Sequence, residues 1–136
     1  MLDESLCGYP DAQSAVDHET ADILNVRLSK CGGIFPSLRI IGLARRSGLG
    51  IQLGCHPGET SLLSAAGRHV ASRVAGLRYV EGSYDRHILR ANVTREDITF
   101  GYGGWASPLE GPGLGIQVDP RALESMVTQR TEISYD

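Results

Sequence analysis

Asp3-Glu4-Ser5 stands at the start of this chain, and Asn25-Val26-Arg27-Leu28-Ser29-Lys30-Cys31-Gly32-Gly33 follows two dozen positions later. The second stretch belongs to a run, residues 22–29, that alternates. Leu24, Val26 and Leu28 share one face; Asn25, Arg27 and Ser29 share the other. Period-two alternation predicts a strand. Its apolar face packs under helices and its polar face points into a polar place. Asp3 and Arg27 thus end two successive strand-like segments with a short helix-like segment between them. In a parallel α/β barrel this spacing brings both side chains to one rim, where active sites sit.

The same rhythm continues outward from that strand. Residues 10–19 start with Pro10-Asp11 and predict a short helix with Ala12, Ala15 and Val16 on one side. Residues 34–47 predict a helix. Pro36 suits its first turn, Leu38, Ile41 and Ala44 form a stripe, and Gly48 stops it. Residues 50–54 predict a second strand, and 59–74 a helix with Leu62, Ala66, Val70 and Val74 at i, i+4 spacing. Residues 77–81 predict a further strand. Counting the segment at Asp3, the order is β-α-β-α-β-α-β with short connections. This is an α/β chain of parallel strands with helical crossovers. Four such strands make either an open sheet or half of an eight-stranded barrel, which usually takes about 250 residues. Composition does not decide between them.

After residue 82 the character changes. Glycine, proline and aromatic residues dominate 100–115, which predicts a long ordered loop. Asp119-Pro120 then opens a short helix over 120–126 by N-capping. The last ten residues are polar, with strand character at Glu132-Ile133-Ser134-Tyr135. The expected division is a strand-and-helix part over 1–99 and a Gly/Pro-rich tail with one short helix over 100–136.

A length of 136 residues allows one domain with a real core. A hydrophobic fraction of 41% and a charged fraction of 21% place it among ordinary globular chains. The net charge of -3 argues against a nucleic-acid surface. No apolar run approaches the roughly 18 residues of a membrane span. Asp3 and Glu4 stand where a signal peptide would be basic. Cys7, Cys31 and Cys55 are odd in number, widely spaced and without a CxxC pair. That favours reduced thiols in a cytoplasmic protein.

Four motifs now stand in order: Asp3-Glu4-Ser5, Asn25 to Gly33, Leu53-Gly54-Cys55-His56-Pro57-Gly58-Glu59-Thr60, and Gly111-Pro112-Gly113-Leu114-Gly115-Ile116. Together they resemble the C-terminal portion of the enolase superfamily, over residues 1 to about 126. The subgroup most similar is that of muconate lactonizing enzyme, with its dipeptide epimerase and o-succinylbenzoate synthase relatives; the mandelate racemase branch is related. The resemblance implies the last four strands of a TIM-like (β/α) barrel. It implies Mg²⁺ held by carboxylates on successive strands, a proton abstracted α to a substrate carboxylate, and an enediolate stabilised on the metal.

By this resemblance Asp3 matches the third metal ligand, a carboxylate suited to a hard cation acting as Lewis acid. Arg27 stands where the subgroup usually carries a catalytic lysine. Lysine can act as acid or base when burial and nearby charge lower its pKa. Arginine stays protonated. Arg27 can stabilise negative charge but is a poor proton acceptor, so two-base racemisation is disfavoured against a one-base elimination or cycloisomerisation. Lys30, three residues on, lies outside the strand's alternation and is the second catalytic candidate. Cys55 and His56 end the next strand and are candidates for the substrate pocket; His56 aligns one residue from a histidine base of the mandelate racemase branch. Glu81 and Ser83 follow the last strand, where dipeptide epimerases hold a substrate ammonium group. Glu59 is expected to stabilise a helix start. Tyr84, Asp85 and His87 are weaker candidates at the same rim. Gly101-Tyr102-Gly103-Gly104-Trp105 lacks the strand–turn–helix context and the Lys-Ser/Thr pair of a phosphate cradle. Gly111 to Ile116 is expected to tie the tail back to the barrel. His18 and His69 read as surface or helix-side residues, and no zinc-ligand spacing is present.

The remaining metal ligands, the paired lysines of an earlier strand and the capping domain implied by the resemblance are expected outside these 136 residues. The expectation is therefore a C-terminal barrel fragment, inactive alone, that takes an N-terminal half barrel or a second copy of itself as partner and a small carboxylate as substrate. The alternative is a non-catalytic remnant serving as an oligomeric or binding module, for which Arg27 in place of lysine is mild support.

Overall fold

A computed structural model describes residues 1–134. It contains α1 (Tyr9–Asp17), β1 (Ile23–Arg27), α2 (Ile34–Arg46), β2 (Gly50–Gly54), α3 (Ser61–Arg73), β3 (Tyr79–Val80), α4 (Asp85–Ile88) and α5 (Pro120–Met126), with a 3₁₀ turn at Tyr102–Gly104. The three strands form one parallel sheet in the order β1-β2-β3, with Leu24 beside Ile51, Asn25 beside Gln52 and Leu53 beside Val80. Leu2 adds a parallel bridge to Leu24 on the other side of β1.

That order settles the choice left by the sequence. The strands run across the sheet in chain order, without the reversal that a doubly wound open sheet requires. Leu24 and Val26 of β1 and Ile51 and Leu53 of β2 share one face by register. They form one core with Ala12 and Ala15 of α1, Ile40, Ile41 and Ala44 of α2, and Val70 of α3. All three helices therefore cover the same face, as in a barrel wall. The opposite face carries Asn25, Arg27, Gln52 and Gly54, with Asp3 and Glu81 continuing the alternation on either side. This is the polar interior that the period-two pattern implied.

Burial corrects two stripes. In α2 the inward residues are Ser37, Ile40, Ile41, Leu43 and Ala44, while Leu38 is 39% exposed. Leu38 sits one position, about a hundred degrees, away from Ser37 and so turns toward solvent. In α3 the inward residues are Ser61, Ser64, Ala65 and Val70, with Val74 just beyond, and Leu62 and Ala66 are only half-buried. Serines occupy inward positions because their hydroxyls have partners: Ser61 Oγ donates to Asp85 Oδ2, and Ser64 Oγ donates to Glu59 Oε1 at 2.9 Å.

The expected strand over 77–81 shrinks to Tyr79–Val80, although Arg78 N and Glu81 N still donate to Ile51 and Leu53 carbonyls. Gly82 and Ser83 then take positive φ and turn the chain out of the sheet. Asp119 caps α5 through its side chain, accepting from Arg121 N at 2.9 Å. The tail is tied back as expected: His69 bonds the Leu114 carbonyl at 3.0 Å, and Thr94 bridges Val118. Gly115 is required there, since its φ is +69° and a Cβ would lie 2.7 Å from the Glu110 carbonyl. Glu132, Ile133 and Ser134 are not in a strand, and Tyr135 lies outside the described residues. No helix among the described residues is long and apolar enough to cross a membrane.

Candidate active site

The polar side chains gather at the C-terminal ends of the strands. Arg27 is the last residue of β1. Its Nη2 donates to Asp3 Oδ2 and lies 3.1 Å from Glu4 Oε1. The turn after β1 curls back, with Lys30 N and Cys31 N both donating to the Arg27 carbonyl. This brings Lys30 Nζ onto the Asp3 carbonyl and to 3.2 Å from Asp3 Oδ1. Lys30 thus reaches the same carboxylate as Arg27 despite lying outside the strand.

Electrostatics follow from that convergence. Burial works to raise the Asp3 pKa, but hydrogen bonds from Lys30 and Asn25 and the charges of Arg27 and Lys30 outweigh it, and the carboxyl is held below its usual range. Burial of Arg27 opposes its charge, yet Asp3 and Glu4 outweigh this and raise its pKa further. Arg27 is therefore a fixed cation. Its Nε and the Asn25 Oδ1 are buried without partners. Gly54 makes this packing possible: a Cβ there would overlap Asn25 Oδ1 and come within 3.0 Å of Arg27 Cγ.

A second group lies across β2. Gln52 Nε2 donates to Glu81 Oε1 at 2.6 Å, and Cys55 N donates to Glu81 Oε2 at 3.4 Å. His56 N donates to Glu59 Oε2 at 3.0 Å, which fixes the turn before α3. Burial, then Glu59 and Glu81, pushes the Cys55 thiol up to about 11, so it stays protonated at neutral pH. His56 itself is exposed. Ser83 is turned elsewhere: it is buried, and its Oγ accepts from Arg68 Nη2 at 2.9 Å on the α3 side. Asp85 lies in a separate buried cluster with Ser61 and Asn92. The structure therefore joins Asp3, Arg27 and Lys30 in one group and Glu81, Cys55 and Glu59 in another, and sets Ser83 apart. Asn25, Gln52 and Gly54 also belong to the site, although none of them carried a role read from the sequence: Asn25 and Gly54 stood inside motifs and Gln52 outside them. Their signal was the strand alternation, which becomes usable only once the register is known.

The family model for the enolase C-terminal domain-like family matches residues 1–122 of this geometry's sequence. The chain belongs to that family. Muconate cycloisomerase 1 of Rhodococcus opacus is 28% identical over 129 residues, covering 92% of this chain and 33% of that protein. The crystal structure of N-succinyl Arg/Lys racemase from Bacillus cereus superposes with a TM-score of 0.79 at 27% identity, over 91% of this chain and 32% of that one. The crystal structure of dipeptide epimerase from Methylococcus capsulatus, complexed with a Mg ion, superposes with a TM-score of 0.72 at 31% identity, over 86% of this chain and 33% of that one. The chain spans about a third of the length of the curated relatives it matches.

Membership in the enolase C-terminal domain-like family raises the question of a metal, and the donor set answers it. Mg²⁺ needs near-octahedral oxygen ligation. Both Asp3 oxygens already face cations, and among the described residues no three carboxylates, histidines or cysteines converge. The described residues do not by themselves fit a Mg²⁺ site. Cys7, Cys31 and Cys55 are all free thiols.

Proposed function

We propose that this chain supplies the C-terminal half of the barrel of a Mg²⁺-dependent enolase-superfamily isomerase or lyase that removes a proton α to the carboxylate of a small substrate. Residues 1–99 would form the last four strands, the segment at Leu2 being the first, and 100–136 the tail. The convergence of Arg27 and Lys30 on Asp3, at the C-terminal end of a polar barrel face, is the observation that carries this reading. Charge that develops on a substrate carboxylate during proton loss is stabilised by preorganised cations in a dry site. Arg27 is suited to that work and not to accepting the proton. Lys30 is an ammonium donor that can also exchange a proton. Glu81, oriented by Gln52, offers a carboxylate to a substrate's polar or cationic group, with Cys55 and His56 along the wall beside it. Ser83 would act only through Arg68. In this reading Asp3 is one metal ligand among several, the others coming from outside these 136 residues, either on an N-terminal half barrel or on another chain. A second copy of this chain is the competing occupant of the open sheet edge, because unpaired strand edges invite association. The three free thiols support a reducing, cytoplasmic setting.

The test is exchange of the substrate α-proton in D₂O, followed by NMR on a dipeptide, an N-succinylamino acid and a muconate with Mg²⁺ present. The 136 residues alone are expected to be inert. Joined to the N-terminal remainder of a matching racemase, they are expected to support exchange that Asp3→Asn abolishes. Exchange by the 136 residues alone, or its absence from a folded joined protein, would overturn the proposal.

A further inference from the structure

On the far edge of β3, away from the Asp3–Arg27 group, a cavity of about 290 Å³ opens between α3 and the loop through Trp105. Ligand pockets run from roughly 300 to 1,000 Å³, so this one suits a single-ring molecule. Phe100, Trp105 and Ala71 form its apolar wall, and Arg68 and Ser83 its polar one.

Arg68 is the unusual member. Its Nη2 donates to Ser83 Oγ and to the Ile98 carbonyl, and its guanidinium carbon sits 5.2 Å from the centre of the Phe100 ring. Its Nε is buried without an acceptor. Among the described residues every cation–carboxylate pair involves Arg27, Lys30, Arg86 or Arg130, and none involves Arg68. Burial draws its pKa down, with Asp85 offsetting this only in part. A half-buried guanidinium held by neutral oxygens and an aromatic face, and by no carboxylate, is short of one anionic partner. Glu81 also lines the cavity, but its oxygens accept from Gln52 and Cys55 N on the β2 side and it forms no ion pair with Arg68. We propose that this cavity binds a small aromatic carboxylate, its carboxylate on Arg68 and its ring against Trp105 and Phe100. The cavity shares Glu81 with the strand-end group but none of Asp3, Arg27 and Lys30, and the proposal does not depend on the catalytic reading.

Trp105 is the only tryptophan in the chain, so its fluorescence reports this cavity alone. The 136-residue protein would be titrated with phenylacetate, with the neutral phenylacetamide and with acetate. Phenylacetate is expected to give a saturable change. Phenylacetamide and acetate are each expected to bind at least about tenfold more weakly, the loss of one charge-assisted contact or of the ring contact. Arg68→Gln is expected to erase the preference for the acid over the amide. Because Arg68 also holds the Ile98 loop, Ala71→Leu provides a second arm: it fills the cavity, leaves Arg68 in place, and is expected to abolish the phenylacetate response. No saturable response to phenylacetate would overturn the proposal. So would equal binding of acid and amide, or unchanged binding by either folded variant.

Discussion

Arg27 differs from lysine in the one property that decides what this rim can do, because a guanidinium between two carboxylates does not give up its proton. Asp3 is the other half of that argument, and its ionisation makes the pairing measurable. Its carboxyl is held below the ordinary 3.8 in the folded chain. A depressed carboxyl contributes stability above its unfolded pKa and loses it as pH falls through the folded value. Asp3→Asn is therefore expected to destabilise the chain by no more than about 1 kcal/mol at neutral pH, since exposed pairs are screened and Asp3 is 36% exposed. That gap should stay constant down to about pH 4 and shrink below it. Urea unfolding at a series of pH values checks this; a gap that persists into acid would mean that the Asp3 charge does not stabilise the fold.

At the scale of elements, α3 carries a glycine that its fold does not need. Gly67 lies in mid-helix, and a Cβ there meets nothing within 4 Å. Gly67→Ala is expected to stabilise the chain by roughly 0.5–1 kcal/mol, read from the urea midpoint, because it removes unfolded-state entropy and improves helix propensity. A neutral or destabilising result would place this face of α3 against something else. The elements that could be read from sequence were those with local signals. β1 had its alternation, β2 was short but stood in the β-α-β rhythm, and α5 had its Asp119-Pro120 start. What could not be read depends on how elements meet. The rotation of α2 that exposes Leu38 is set by packing on the sheet. The two-residue length of β3 follows from having a partner on only one side and from the turn at Gly82 and Ser83. α4 is a single turn with no pattern long enough to detect. The site divides the same way. Asp3 and Arg27 were legible from spacing, whereas the reach of Lys30 needed the curled turn after β1, and the roles of Asn25, Gln52 and Gly54 needed the register.

The whole molecule is a barrel wall with its polar face turned inward and its helices on one side. Sequential strand order and the one-sided core make that wall, and the free edge of β3 leaves Tyr79 and Val80 exposed. A partner that completes the wall would also enclose Asp3, Arg27 and Lys30. The role proposed for Arg27 in such a completed site is that of a fixed charge and never of a base. The measurement that tests it most directly is the stereochemical course of α-proton exchange in D₂O, using a single-enantiomer dipeptide and the 136 residues joined to a racemase N-terminal remainder. Deuterium incorporation with the starting configuration kept is expected, and the opposite enantiomer is expected to appear only in Arg27→Lys. Racemisation that keeps pace with exchange while Arg27 is in place, and that survives Lys30→Gln, would contradict that role.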